Sequence, residues 1–181
     1  MQDKYSWREI QEADSGEIAK LYGRARTISW KNHQKKLKVF YPSNAFPSIS
    51  ITGDKCAQNC KYCDKYYLKS MEPILTPTKL LKFALGHEAK GGKGFLLSGG
   101  HNKDSIVPIE PFLQVLAEIK KTTKLKVNVH TGLIKYGLAE KLAETGIDTV
   151  SFDLVTDNQV ISEILQSKKI SIRLVPAPNA A

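Results

Sequence analysis

From residue 48 onward, short apolar stretches alternate with longer amphipathic ones, and this alternation constrains the fold more than any other feature. The apolar stretches predict five strands, over residues 48–53, 93–99, 124–132, 148–155 and 170–176. Between them, apolar residues recur every three or four positions, which predicts helices over 76–90, 109–123, 136–146 and 160–166. Strands joined by helical crossovers pair in parallel. The sequence therefore predicts an α/β fold in which helices wrap a parallel sheet of about five strands.

The ends of the predicted helices carry recognisable signals. Thr76 followed by Pro77 is typical of a helix N-terminus, because threonine caps the free N–H groups and proline fits the first helical position. Glycines at 91–92 and at 146 are typical of helix C-termini. These signals support the alternation of strand and helix.

The first 46 residues have a different character. Residues 3–34 show helical spacing of apolar side chains, with a break at 14–16 where Asp14 or Ser15 serves as the cap of a second helix. Residues 37–42 resemble a short strand that ends at a proline. We therefore expect an N-terminal helical extension, 1–46, ahead of the main domain, 47–181.

All three cysteines of the chain, Cys56, Cys60 and Cys63, lie in one loop directly after the first predicted strand. An odd number of cysteines within eight residues makes a poor disulfide framework. The N-terminus is polar and carries acids, unlike a targeting segment, and no stretch approaches the length of a membrane span. We therefore expect a reduced, cytoplasmic protein without a membrane association.

The C-x3-C-x2-C spacing admits three interpretations. A structural zinc site needs four ligands, so His101 or His130 would have to complete it. Buried or redox-active thiols fit poorly with the polar neighbours in this loop. A four-iron cluster bound by three cysteines leaves one iron open to a ligand that is not protein. The missing fourth thiol favours the iron–sulfur cluster over the other two interpretations.

Other polar or glycine positions follow the predicted strands at their C-terminal ends. They are Ser98, Gly99 and Gly100 after the second strand, Asn128 and His130 in the third, and Asp153 in the fourth. In α/β folds the carboxyl ends of parallel strands meet at one edge, and function is concentrated there. The sequence therefore predicts that these residues and the cysteine loop converge.

Two motifs together resemble the radical S-adenosylmethionine superfamily. One is the C-x3-C-x2-C loop with the aromatic Tyr62 before its last cysteine, and the other is GFLLSGG at 94–100. Stretches across residues 39–157 resemble more narrowly the biotin synthase and lipoyl synthase branch, in particular archaeal biotin-synthase-like proteins. The resemblance implies a partial (β/α) barrel of the TIM type, with the radical chemistry of that superfamily.

The resemblance also implies cofactors and their contacts. Cys56, Cys60 and Cys63 would bind a 4Fe–4S cluster, and S-adenosylmethionine would chelate its open iron. The backbone around Tyr62 would meet the adenine. Reduction would then yield a 5′-deoxyadenosyl radical that abstracts hydrogen, with electrons from a ferredoxin or flavodoxin type of donor. The remaining expected cofactor contacts are Ser98, Gly99 and Gly100 at the methionyl amino group and Asp153 at the ribose.

His101 stands where the superfamily often has an acid, so its role is open. Asn128 and His130 share one side of their strand, and with His101 they would line a substrate cavity if that side faces the barrel interior. The alternative for His130 is a hydrogen-bonded core histidine. His33 and His87 are predicted to be surface residues.

The net charge of +9 suits an acidic partner, and the lipoyl synthase resemblance suggests an acidic lipoyl carrier protein. Nucleic acid is not favoured, because the basic run at 31–38 has no interleaved aromatic residues. No cysteine remains for a second, sulfur-donating cluster. Either the chain does not insert sulfur by itself, or a missing segment or a partner, such as a second radical SAM subunit, supplies that cluster. The superfamily core usually has six strands and five are predicted, so we expect a fragment, a natural short form, or a half that closes against another subunit. The competing hypothesis is a non-catalytic iron–sulfur or zinc binding module.

Overall fold

The computed structural model describes residues 7–36, 39, 44–153, 155 and 157–165 of the 181-residue chain. The chain divides into two compact units, Met1–Tyr41 and Pro42–Ala181. The first contains two helices, and the second contains the parallel sheet. Each unit is described by itself.

The N-terminal unit contains α1, Trp7–Glu12, and α2, Ser15–His33. A capping box begins α2: Asp14 Oδ1 accepts hydrogen bonds from the backbone of Gly16 at 2.7 Å and Glu17 at 2.9 Å. The Glu17 carboxylate in turn accepts from the Asp14 N–H at 3.1 Å. Asp14 is therefore the cap, not Ser15. The strand predicted over 37–42 falls, apart from residue 39, outside the described residues.

The second unit is built on a parallel sheet, which confirms the predicted α/β partial barrel. Within the described residues its strands are β1 Ser48–Ser50, β2 Glu72–Pro73, β3 Gly94–Ser98, β4 Lys126–His130 and β5 Thr149–Ser151. Their spatial order is β2-β1-β3-β4-β5, and every neighbouring pair is parallel. Five strands are described, as many as were predicted, but they are not the same five strands. β2 was not predicted, and the predicted strand 170–176 lies outside the described residues.

Helices follow the strands as the alternation predicts. They are α3 Pro77–Ala89, α4 Leu113–Thr122 and α5 Tyr136–Glu144, with 3-10 turns at Tyr66–Ser70 and Glu110–Phe112 and a π-helical turn at Val160–Ile164. Thr76 caps α3 as predicted, since its hydroxyl accepts the Lys79 N–H at 3.4 Å. No helix in the described part of the chain is long and apolar enough to cross a membrane.

Two predicted strands are shorter than expected. The strand predicted over 48–53 ends at Ser50, because the chain then turns: the Ser50 hydroxyl donates to the Gly53 carbonyl at 2.6 Å, and Gly53 has φ +63°. The strand predicted over 148–155 is described as a strand only at Thr149–Ser151. Both shortened ends therefore leave more residues in the loops at the C-terminal edge of the sheet.

The sheet has one apolar and one mixed face. On the apolar face, Phe95, Leu97, Val127 and Val129 are fully buried and form one core with residues of α3 and α4. The opposite face carries the alternating positions Leu96, Ser98, Asn128 and His130, of which Ser98 is buried and the other three are half-buried. This confirms that Asn128 and His130 share a side.

The prediction that His87 is a surface residue was wrong. Its ring is half-buried and stacks on Phe83 with 5.2 Å between ring centroids. Its Nε2 lies 3.1 Å from the carbonyl oxygens of both Ala45 and Gly94. His87 therefore ties α3 to the start of β3, whereas His33 is exposed as predicted.

Candidate functional site

The cysteine loop and the glycine motif contact each other at the C-terminal edge of the sheet. The His101 N–H points to Cys56 Sγ at 3.3 Å, and the Ala57 N–H donates to the His101 carbonyl at 2.8 Å. One residue earlier, the Gly100 N–H donates to Thr52 Oγ1 at 2.6 Å. The loop after β1 and the loop after β3 are thus joined by backbone groups, as expected if they form one site.

The two glycines after β3 are required by close packing. A Cβ on Gly100 would collide with the Lys55 carbonyl oxygen and with Cys56. A Cβ on Gly99 would lie 2.9 Å from Thr52 Oγ1, closer than Cβ atoms approach other heavy atoms in proteins. Glycine therefore lets the β3 loop lie directly against the loop that carries the thiols.

The three thiols are free and half-buried. The Cys60 thiol donates to the Leu165 carbonyl at 3.2 Å. Burial raises the pKa of Cys60, and the nearby Cys63 and Cys56 raise it further.

The donor set fits an iron–sulfur cluster by its chemistry. Three sulfur donors in one loop are the ligands that iron–sulfur clusters require. Within the described residues, no three His, Cys, Asp or Glu side chains form a ready-made metal site. The chemistry of the donors, and not a preformed arrangement of them, therefore carries the fit.

A hydrogen-bonded chain links three of the predicted residues across neighbouring strands. Ser98 Oγ lies 3.2 Å from Nδ1 of His130, and His130 Nε2 lies 3.1 Å from Asp153 Oδ2. The carboxylate of Asp153 is 81% exposed, whereas Ser98 is buried. Asn128 does not join this chain; its side-chain oxygen accepts from the Ser151 hydroxyl at 3.0 Å.

His101 stands beside this chain with an unsatisfied nitrogen. Among the described atoms its buried Nε2 has no hydrogen-bond partner. Its ring centroid lies 6.0 Å from that of His130. Burial lowers the pKa of His101 and His130 lowers it further, while Asp153 acts in the opposite direction. A neutral ring with a free nitrogen can hydrogen-bond to a bound ligand.

Two cavities lie beside these residues, the first at the C-terminal edge and the second over the mixed face of the sheet. The first, of about 850 Å³, includes Thr52, Cys56, Gly100 and His101 in its lining. The second, of about 530 Å³, has Ser98 and His130 in its lining, together with Tyr67, Leu96, Ser48 and Met71. The predicted set His101, Asn128 and His130 is thus divided: His101 belongs to the first cavity, His130 to the second, and Asn128 to the described lining of neither.

Tyr62 occupies an exposed position at the edge of the cysteine loop. Its side chain is 70% exposed, and its ring is tilted against that of Tyr67 with 6.4 Å between centroids. It also lies outside the described lining of both cavities. The contact of the backbone around Tyr62 with the adenine stays a prediction.

Two residues of the site were missed from the sequence. Thr52 accepts the Gly100 N–H, and Gln58 Nε2 donates to the Asn102 carbonyl at 3.0 Å. Both lie in polar loops, and the local sequence does not distinguish them from neighbouring residues whose side chains only contact water. Their partners lie more than forty residues away, so only the folded chain reveals them.

The comparison with known proteins agrees with this geometry. A profile of the radical SAM superfamily matches residues 50–175, more than half of the chain. The chain is 28% identical over 130 residues to a biotin synthase of an Azoarcus species, covering 70% of this chain and 40% of that protein. It is 27% identical over 164 residues to biotin synthase of Bacillus licheniformis, covering 87% and 47%. For biotin synthase of Acetivibrio thermocellus the identity is 26% over 182 residues, covering 97% and 55%.

The chain thus spans about half the length of the curated relatives it matches. The superfamily implies an iron–sulfur cluster and S-adenosylmethionine as cofactors, and the three thiols beside the glycine motif fit that requirement. On the match over residues 50–175, the chain belongs to the radical SAM superfamily, in its biotin synthase-like branch.

Proposed function

We propose that this chain is a radical SAM enzyme in which Cys56, Cys60 and Cys63 bind a 4Fe–4S cluster and leave one iron open. The observation that carries the proposal is the contact of the glycine motif with the thiol loop, from His101 N–H to Cys56 Sγ at 3.3 Å. When bound, the cluster and S-adenosylmethionine supply one-electron cleavage of a carbon–sulfur bond, giving a 5′-deoxyadenosyl radical for hydrogen abstraction.

The residues of the chain bind and orient the nucleotide. The larger cavity, beside Cys56 and Gly100, has the size and position for S-adenosylmethionine. Ser98, Gly99 and Gly100 would meet the methionyl amino group, and Asp153 presents a carboxylate that can accept two ribose hydroxyls. The backbone around Tyr62 would meet the adenine.

The smaller cavity is our proposed substrate site. Leu96 and Met71 offer apolar surface, while His130 offers a hydrogen bond, which suits a small or carrier-linked aliphatic chain. By the lipoyl synthase resemblance, an octanoyl carrier protein is the substrate we would test first. The net charge of +9 would favour encounter with such an acidic carrier and with a ferredoxin or flavodoxin type of electron donor.

Sulfur insertion requires a source outside this sequence. All three cysteines of the 181 residues are assigned to one cluster. A second radical SAM subunit carrying a sulfur-donating cluster is therefore the partner we propose. The free thiols suit the reducing cytoplasm as the place of action.

Anaerobic reconstitution tests the proposed chemistry. The protein with iron and sulfide should turn brown and, with dithionite and S-adenosylmethionine, release 5′-deoxyadenosine. Cys60→Ala should abolish this product, whereas Asn59→Ala, an exposed neighbour in the same loop, should retain it. A colourless protein with one tightly bound zinc would instead support the non-catalytic module.

A second assay tests the substrate. Octanoylated carrier protein is added with and without candidate partner subunits, and loss of the octanoyl species is followed by mass spectrometry. Product formation only with a partner would support the two-subunit proposal. If 5′-deoxyadenosine forms and the octanoyl chain stays intact under all conditions, the lipoyl part of the proposal is wrong.

A further inference from the structure

We infer that the backbone N–H of His101 tunes the reduction potential of the cluster through its hydrogen bond to Cys56 Sγ, an inference that rests on the cluster assignment proposed above. The N–H to sulfur distance is 3.3 Å, and both residues are half-buried. This hydrogen bond reaches Cys56 from outside the cysteine loop, from the loop that follows β3. The residue that departs from the superfamily pattern thus contributes through its backbone.

The donor is braced on the side of the cysteine loop. The His101 carbonyl accepts the Ala57 N–H at 2.8 Å, so the peptide groups on both sides of His101 are fixed to that loop. Gln58 reaches across to the next residue, with its Nε2 3.0 Å from the Asn102 carbonyl. The bonds from Ala57 and Gln58 hold this backbone segment so that the His101 N–H points at the sulfur. The imidazole takes no part in them.

The donor is braced on the side of β4 as well. Asn102 Oδ1 accepts the backbone N–H groups of Asp104 at 2.9 Å and Ile106 at 3.1 Å. The Val107 N–H then donates to the Thr131 carbonyl, one residue after β4, at 2.9 Å. The loop therefore cannot swing away from Cys56 without breaking bonds at both ends.

The direction of the effect follows from charge. One-electron reduction adds negative charge to the cluster and to its thiolate ligands, and a hydrogen-bond donor at sulfur stabilises that charge. The half-buried position strengthens the effect, because water competes less for the thiolate. The His101 N–H should therefore raise the potential and make the cluster easier to reduce.

The test compares two variants at one position. His101→Pro removes the N–H, while His101→Ala keeps it and removes only the ring. Each reconstituted full-length protein is titrated with reductant and followed by EPR. We expect a more negative midpoint for His101→Pro, with the reduced fraction at the wild-type midpoint falling from half to about a tenth. His101→Ala should titrate like the wild type.

Equal midpoints for His101→Pro and the wild type at full iron content would overturn the inference, and so would an equal shift in His101→Ala. Should the proline variant fail to fold, two measurements replace it. Gln58→Ala should shift the midpoint in the same direction by loosening the brace. Pulsed EPR of wild-type protein exchanged into D2O should show a deuteron coupled to the cluster, and its absence would contradict the hydrogen bond.

These readouts are independent of S-adenosylmethionine cleavage. A cluster with the predicted potential shifts that never yields 5′-deoxyadenosine would contradict the proposed function and leave this inference standing. An enzyme that yields 5′-deoxyadenosine, but whose variants keep the wild-type midpoint potential, would support the proposed function and contradict this inference. A protein that binds no iron would contradict both.

Discussion

The hydroxyl of Ser98 lies 3.2 Å from Nδ1 of His130, and this contact joins the ends of two neighbouring strands. The other nitrogen of the same ring lies 3.1 Å from the Asp153 carboxylate, just past β5. His130 therefore bridges two residues that we propose as cofactor contacts. We expect it to act as a positioning residue, because it holds a hydroxyl and a carboxylate by hydrogen bonds.

Replacing His130 by phenylalanine should weaken nucleotide binding. The ring volume is largely kept, but Ser98 and Asp153 lose their shared partner. We expect S-adenosylmethionine to bind the reconstituted protein about tenfold more weakly, as the loss of one well-placed hydrogen bond to a charged group would cause. Equilibrium dialysis measures it. His33→Ala, exposed on α2, is the control, and unchanged binding in His130→Phe would contradict the positioning role.

Adding a methyl group at Gly100 should disrupt the thiol loop. The new Cβ would overlap the Lys55 carbonyl and Cys56, both of which are backbone-anchored. Iron content after reconstitution should therefore fall strongly in Gly100→Ala. Gly86→Ala in α3 is the matched control, because a Cβ there meets nothing within 4 Å and alanine favours a helix by about 1 kcal/mol. Full iron loading of Gly100→Ala would show that the close approach is dispensable.

The regular elements were predictable because local signals and burial agreed. Val127 and Val129 alternate with Asn128 and His130, and the folded sheet places the two pairs on opposite faces. Thr76 caps α3 as its position before Pro77 indicates. In strand β4 and helix α3, the secondary structure that the sequence pattern favours is also the one that buries the apolar side chains in the folded sheet unit.

The remaining features depend on distant partners. β2 consists of Glu72 and Pro73, too short for any alternation and containing a residue that disfavours strands. It exists because β1 lies beside it, with Ile49 in register with Glu72. Likewise, the pairing of His130 with Asp153 spans 23 residues, and it follows from strand order and register. The convergence of the strand-end residues at one edge of the sheet could be predicted. Which of their polar groups form hydrogen bonds with each other could not.

Truncating a core leucine should destabilise the sheet unit far more than truncating an exposed one. Leu116 on α4 is fully buried in the core, whereas Leu85 on α3 is 46% exposed. Leu116→Ala should lower the free energy of unfolding by about 2–5 kcal/mol, because it leaves a cavity. Leu85→Ala should cost well under half of that. Urea denaturation followed by circular dichroism measures both, and equal losses would contradict the core assignment.

Asp148 connects α4 to β4 and should make stability depend on acid pH. Its carboxylate accepts from Lys120 Nζ at 2.6 Å, Lys126 Nζ at 2.7 Å and the Val127 N–H at 2.9 Å. Burial acts to raise the pKa of Asp148, but these hydrogen bonds outweigh it and hold the pKa well below its usual range. The charged form is therefore favoured in the folded state.

Because the folded pKa is depressed, this contribution is present above the unfolded pKa of about 4 and is lost as pH falls through the folded pKa. Lys126 is 70% exposed, so water screens its share, and we expect Asp148→Asn to lose about 1–2 kcal/mol at pH 7. The difference from wild type should shrink at pH 3 and below. Urea titrations at pH 7, 5 and 3 measure it, with Glu140→Gln on the exposed face of α5 as control. A difference that stays constant across this range would mean that packing, and not the charge of Asp148, joins the helix to the strand.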